Sequence, residues 1–150
     1  MKKIIAFFMV FVLAIGALTA CGKKDDNNAG KNGDTGKTGD TYEIALITDK
    51  GNIDDKSFNQ GAWEGVVEFA TANNISHQYY KPEEASDAGY LAAIDLAVSG
   101  GAKVVVTPGF LFEVAVYEAQ TKYPDVKFIL LDGAPRTADY SDFKTEKNVA

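Results

Sequence analysis

From Tyr42 onward, short continuous apolar runs alternate with helix-length amphipathic segments, and this alternation constrains the fold more than any other feature of the chain. Ile44-Ala45-Leu46-Ile47 is too short for a helix and has the character of a strand buried on both faces. Phe58 to Ala72 then carries Phe58, Ala62, Val66 and Phe69 at helical spacing. Ser57 with Gln60 predicts a capping box at its start, and Asn73-Asn74 closes it. Ser76 to Tyr80 predicts a second strand, ended by Pro82. Ser86 is placed to cap a second helix through Leu91, Ile94 and Val98, stopped by Gly100-Gly101. Lys103 to Thr107 predicts a third strand, Leu111 to Tyr123 a third helix and Phe128 to Leu131 a fourth strand. With right-handed crossovers, this β-α-β-α-β-α-β order forces a parallel sheet with helices on both faces, an α/β fold.

That topology says where to look for a site. Ligands of open parallel sheets bind beyond the carboxyl ends of the strands, where loops converge and helix amino termini point their amides. Asp49 and Gly51 follow the first strand, Pro108-Gly109-Phe110 the third and Asp132-Gly133 the fourth. Asp49, the loop from Asn52 to Asn59, Phe110 and Asp132 are therefore expected on one rim. Two separated carboxylates with an aromatic face suit a planar ligand that donates hydrogen bonds. Each feature also has a plainer reading. Asp49 and Asp132 serve equally as turn formers, Phe58 as a core residue, and Asp54 and Asp55 as solvated residues favourable at a helix start. His77 has no partner at metal-ligand spacing and is expected to be structural.

The amino terminus speaks to compartment. Lys2 and Lys3 precede an apolar run from Ile4 to Ala17, which is short for a permanent membrane span. It ends in Leu18-Thr19-Ala20-Cys21. Small residues before a cleavage point suit a signal peptidase, and a cysteine directly after them resembles the bacterial lipobox. The expectation is a signal peptide over 1–20 and a lipid on Cys21, anchoring the protein to the extracytoplasmic face of the cell membrane. Cys21 is also the only cysteine, so no disulfide staples the fold. Residues 22–41 hold no aliphatic or aromatic side chain except Ala29, as expected of a disordered tether. Gly36-Lys37-Thr38 lies within it and imitates part of a phosphate loop. Lys31 stands where that motif needs glycine, and no strand precedes it, so the motif is rejected.

Charge and motifs exclude some functions. The chain carries 15 basic and 21 acidic side chains, and losing Lys2 and Lys3 takes the net charge from −6 to −8. An acidic chain without a basic stripe argues against nucleic acid as a partner. There is no G-x-S-x-G elbow, no H-E-x-x-H and no glycine fingerprint between strand and helix, so no catalytic residue, metal site or cofactor is assigned.

The stretch ITDKGNIDDKSFNQGAWEG, Ile47 to Gly65, resembles the signature of the basic membrane protein family of lipoproteins, which includes purine nucleoside receptors. Val104 to Phe112 and Phe128 to Gly133 fall where that family has its third and fourth strands. The resemblance implies a Rossmann-like parallel sheet that forms the amino-terminal lobe of a type I periplasmic-binding-protein fold. Tyr42 to Ala150 would be that lobe, with the second lobe absent from this sequence. It further implies a receptor that hands a purine nucleoside to the permease of an ABC importer. Carried over by motif, Asp49 and Asp132 would be polar contacts, Phe58 the stacking ring, Asn59 a further contact and Phe110 another candidate. Half of such a clamshell should bind weakly. A receptor for another small polar ligand, such as a sugar or signalling molecule, and a surface adhesin remain alternatives.

Overall fold

In a computed structural model, the structure of the protein is described for residues 42–150. The signal segment, the tether and Cys21 lie outside the described residues. Four strands alternate with helices: β1 (Ile44–Ile47), α1 (Phe58–Asn73), β2 (His77–Tyr80), α2 (Asp87–Ser99), β3 (Val104–Pro108), α3 (Glu113–Lys122) and β4 (Lys127–Leu131). A single 3₁₀ turn, Phe110–Phe112, joins β3 to α3. The strands form one sheet in the order β2-β1-β3-β4, and every pairing is parallel.

Alternation along the strands divides the core in two. Ala45 and Ile47 of β1, Val105 of β3, and Phe128 and Leu130 of β4 face α2 and α3, where they meet Tyr90, Ile94, Ala97, Phe112, Val116 and Ala119. Ile44 and Leu46 of β1 and Val106 of β3 face the other way, onto Val66 and Ala70 of α1. Successive side chains of a strand point to opposite faces, so one apolar run fills both layers.

Coverage of the two faces is unequal. Among the described residues only α1 lies on the second face, and beside it Phe69, Val104, Val106 and Ile129 border an apolar groove of about 400 Å³. Lys127 and Ile129 are exposed while Phe128 and Leu130 are buried, so β4 is covered on one face, although helices were expected on both faces of the sheet.

Two local expectations are corrected. Ser57 is the N-cap of α1 but its hydroxyl makes no capping bond. Asp55 takes that role: its Oδ1 accepts from the amides of Ser57 (2.8 Å) and Gln60 (3.2 Å), while Gln60 Oε1 accepts from the Lys56 amide. The left-handed backbone of Lys56 (φ 55°) redirects the chain and brings Asp55 to the helix end. The third helix also begins later than the apolar pattern suggests. Gly109 (φ 108°) turns the chain out of β3, and the Phe112 amide donates to the Gly109 carbonyl, a three-residue spacing that gives a 3₁₀ turn before α3. Ser86 caps α2 as expected, its hydroxyl accepting from the Gly89 amide.

Beyond β4 the chain runs along α3, anchored by Gln120 and Asn148, and its last residues lie beside the outer edge of β4. There Phe128 donates to the Asn148 carbonyl and Ala150 to that of Phe128.

Candidate functional site

The strand order places the site. The chain leaves β1 in one direction to form β2, then crosses back to form β3 on the other side, so the sheet has a topological switch point between β1 and β3. Pairing aligns Leu46, Val106 and Ile129 across three strands. Continued along each chain, that register brings Asp49, Gly109 and Asp132 to one level at the carboxyl ends. Two strand spacings separate the backbones bearing the carboxylates, or about 10 Å. A small ligand lying across β3 can be met by an acceptor at either end.

Asp49 is set by a network inside the 49–60 loop. Its Oδ1 accepts from the Gly51 amide at 2.6 Å and from Asn59 Nδ2 at 2.7 Å. Asn59 Oδ1 accepts in turn from the Asp49 amide at 3.1 Å. The second Nδ2 hydrogen goes to Asp55 Oδ2 at 2.9 Å. Asn59 is fully buried and both its donors are spent on the two aspartates. The geometry thus puts Asn59 behind Asp49 and not on the open rim. Gly51 closes the network, since a Cβ there would sit 2.7 Å from Asn59 Nδ2 and 2.9 Å from Asp49 Oδ1. Desolvation pushes the Asp55 carboxyl upward, but hydrogen bonds from the Ser57 and Gln60 amides and from Asn59 outweigh it, and Asp55 titrates below its ordinary value.

The aromatic residues expected at the rim are open to solvent. Phe58, first residue of α1, is 51 % exposed, and Phe110, just after β3, is 60 % exposed. Asp132 is also exposed and has a left-handed backbone (φ 55°). It stands next to Gly133, whose Cα lies so near Phe110 that an added Cβ would be 3.3 Å from the Phe110 Cα. Asp49 and Asn59 are thus joined directly, and Phe110 adjoins the Asp132 turn.

Two residues at this end of the sheet escape sequence reasoning. Tyr90, in the first turn of α2, is buried with its ring 4.5 Å from that of Phe112. Burial, reinforced by the charges of Asp49 and Asp87, raises the pKa of its hydroxyl, so it stays a protonated donor. Thr48 is fully buried at the end of β1 and its hydroxyl has no hydrogen-bond partner among the described residues. Helical spacing marks Tyr90 as core without showing its nearness to Asp49, and no signal in the sequence singles out Thr48. His77 is buried against Trp63 with Nδ1 3.1 Å from the Ile75 carbonyl, a structural placement. Among the described residues no cluster of three His, Cys, Asp or Glu side chains is arranged to hold a metal. The rim can accept hydrogen bonds at two separated points and offer ring faces to a flat molecule.

Comparison with known proteins agrees on fold and family. The profile of the Bmp family, described as ABC transporter substrate-binding protein PnrA-like, matches residues 43–150. A CD4+ T-cell-stimulating antigen of Listeria innocua is 32 % identical over 135 residues, 87 % of this chain and 37 % of the relative. The ABC transporter nucleoside-binding protein BmpA of Lactococcus lactis is 28 % identical over 99 % of this chain and 39 % of its own length. The chain thus spans under two-fifths of these relatives. A crystal structure of an ABC transporter solute-binding protein from Aeropyrum pernix superposes with a TM-score of 0.59 at 27 % identity, over 72 % of this chain and 27 % of that one.

Proposed function

The chain belongs to the Bmp family of PnrA-like ABC transporter substrate-binding proteins, and from that premise we propose that residues 42–150 are the nucleoside-binding lobe of an importer's receptor. The observation that carries the proposal is the in-register placement of Asp49 and Asp132 on either side of the β3 end, with exposed Phe58 and Phe110 at the same rim. A purine nucleoside matches this pattern. Its base is flat and stacks, and its ring and ribose groups donate hydrogen bonds at opposite ends. The lactococcal relative's name as a nucleoside-binding protein supports the same ligand class. In this reading Asp49 and Asp132 accept from the ligand, Phe58 stacks on the base, Phe110 borders it, and Asn59 acts through Asp49. Cys21 carries a lipid that holds the receptor at the extracytoplasmic membrane surface, where an ABC permease takes up the ligand.

The test is titration of the chain with inosine, ribose and glucose, read by amide shift changes in NMR, which registers weak binding. Inosine is expected to move Asp49, Phe58, Phe110 and Asp132; equal shifts with glucose, or none with inosine, would overturn the nucleoside assignment. Phe58→Ala should weaken binding by about 1–3 kcal/mol through lost stacking. Asp132→Ala should cost about 1.5–3 kcal/mol through lost charge-assisted hydrogen bonds. A folded Asp132→Ala chain that binds inosine as tightly as the parent would remove that carboxylate from the site. The anchor is tested separately. Cys21→Ala should release the protein from membranes or leave it uncleaved, and unchanged membrane retention with normal processing refutes the lipid assignment.

A further inference from the structure

Glu113 is the first residue of α3, where the helix dipole favours a carboxylate. Such a side chain ordinarily faces water. Here it is turned inward and only 15 % exposed, paired with an Arg136 side chain that is 11 % exposed. The other ion pairs among the described residues, Lys103–Glu43, Lys122–Asp95 and Lys144–Glu146, are far more open. The Glu113 carboxylate serves one loop with both oxygens: Oε1 accepts from the Ala134 amide at 3.1 Å and Oε2 from Arg136 Nε at 2.5 Å. The Glu113 carbonyl also accepts from the Arg136 amide at 3.3 Å. Arg136 is held from its far side too, with its guanidinium 3.7 Å from the centre of the Tyr140 ring and Nη1 donating to the Thr137 carbonyl.

These bonds act on the residues just before them. Asp132 has a left-handed backbone, which aspartate tolerates better than most residues but at a cost that its surroundings offset. Gly133 is wedged so closely that a Cβ would lie 3.1 Å from Glu113 Cγ and 3.3 Å from the Phe110 Cα. Resting on the ligand reading above, we propose that Glu113 and Arg136 are positioning residues that clamp the Asp132–Gly133 turn against Phe110, so that the Asp132 carboxylate and the Phe110 ring meet a ligand as one preformed surface. Neither residue needs to touch the ligand. Their effect is to remove the ordering cost that a loose 132–136 loop would impose on binding.

The experiment uses the full chain and the variants Glu113→Gln, Glu113→Ala, Asp132→Ala and the double variant Glu113→Gln/Asp132→Ala. Glu113→Ala should speed hydrogen exchange at the Ala134 amide and the Arg136 Nε–H on the order of tenfold or more, with β1 and β3 amides unchanged. Glu113→Gln, which keeps an acceptor for Ala134, should restore that amide but not the Arg136 Nε–H, which loses its carboxylate. Unchanged exchange at both positions in Glu113→Ala overturns the clamp. In the inosine titration Glu113→Gln should weaken binding in the parent background, and do so several-fold less in the Asp132→Ala background, where only Phe110 is left to position. An equal loss in both backgrounds means that Glu113 does not act through Asp132, and the proposal falls. A parent chain that shows no inosine shifts sinks the nucleoside reading alone, and the exchange measurement then decides the clamp by itself.

Discussion

Truncating the fully buried Asn59 strips Asp49 and Asp55 of a donor they share, and leaves the Asp49 amide without its side-chain acceptor. Asn59→Ala is therefore expected to lower stability by about 1–3 kcal/mol, read in urea melts through Trp63, the sole tryptophan. Asn59→Asp keeps the shape but sets a third carboxylate against the other two. Its stability deficit should be greatest at neutral pH and shrink as the pH falls into the carboxylate range. In the parent the sign is opposite. Because the folded Asp55 carboxyl titrates below its ordinary 3.8, its stabilisation is fully present above that pH and is lost as the pH drops through the lower folded value. Asp139, held at about 2 by the Ser141 hydroxyl and by Thr137, behaves likewise over the interval between 3.8 and 2. Carboxyl-carbon NMR titration should show both curves displaced to low pH. The positions of Asp49, Asp132, Phe58 and Phe110 could be reasoned from topology, because each follows a strand or opens a helix. The inward turn of Asn59 and the capping by Asp55 could not. Both depend on the left-handed Lys56, a backbone state that its neighbours impose and its own residue type does not announce.

The elements were readable to within a residue or two because each apolar run is short and bounded by a breaker. Asn74 ends α1 in a left-handed conformation, accepting no further turn, and Ser86 and Gly100 bracket α2. The junction of β3 and α3 was less so. Leu111 and Phe112 continue the helical apolar pattern, but Gly109 forces a tight entry that helical spacing alone does not reveal. Gly109 has φ 108° with nothing near its missing side chain, so Gly109→Ala meets backbone strain and no steric clash. We expect it to cost about 1–3 kcal/mol in melting experiments and to disturb Phe110 more than β3. Gly133→Ala differs in kind. There the obstacle is Glu113 and the Phe110 backbone, so replacing Glu113 by a smaller residue should partly relieve it, a coupling measurable in a double-mutant cycle.

Taken together, the four strands span about 19 Å and a helix is about 10 Å wide, so each face of the sheet has room for two helices. Among the described residues one face has α2 and α3, the other α1 alone. The apolar surface left over β3 and β4 should make the folded chain bind a hydrophobic fluorescent dye, and Ile129→Thr should reduce that signal without lowering the melting temperature by more than a few degrees. An unaltered dye signal in that variant would place the binding elsewhere. The strand order has a further consequence, in time and not in space. β1 and β3 are neighbours at the centre of the sheet, yet their paired residues, Ile44 and Val104, stand 60 positions apart. A chain emerging amino end first from the ribosome has no closed sheet until Val106 is out, and sheets joined from such distant segments assemble slowly. A polypeptide bound for export must pass its channel as an unfolded thread. If the chain is exported as proposed, interleaved strands leave it unfolded while its leading part threads that channel.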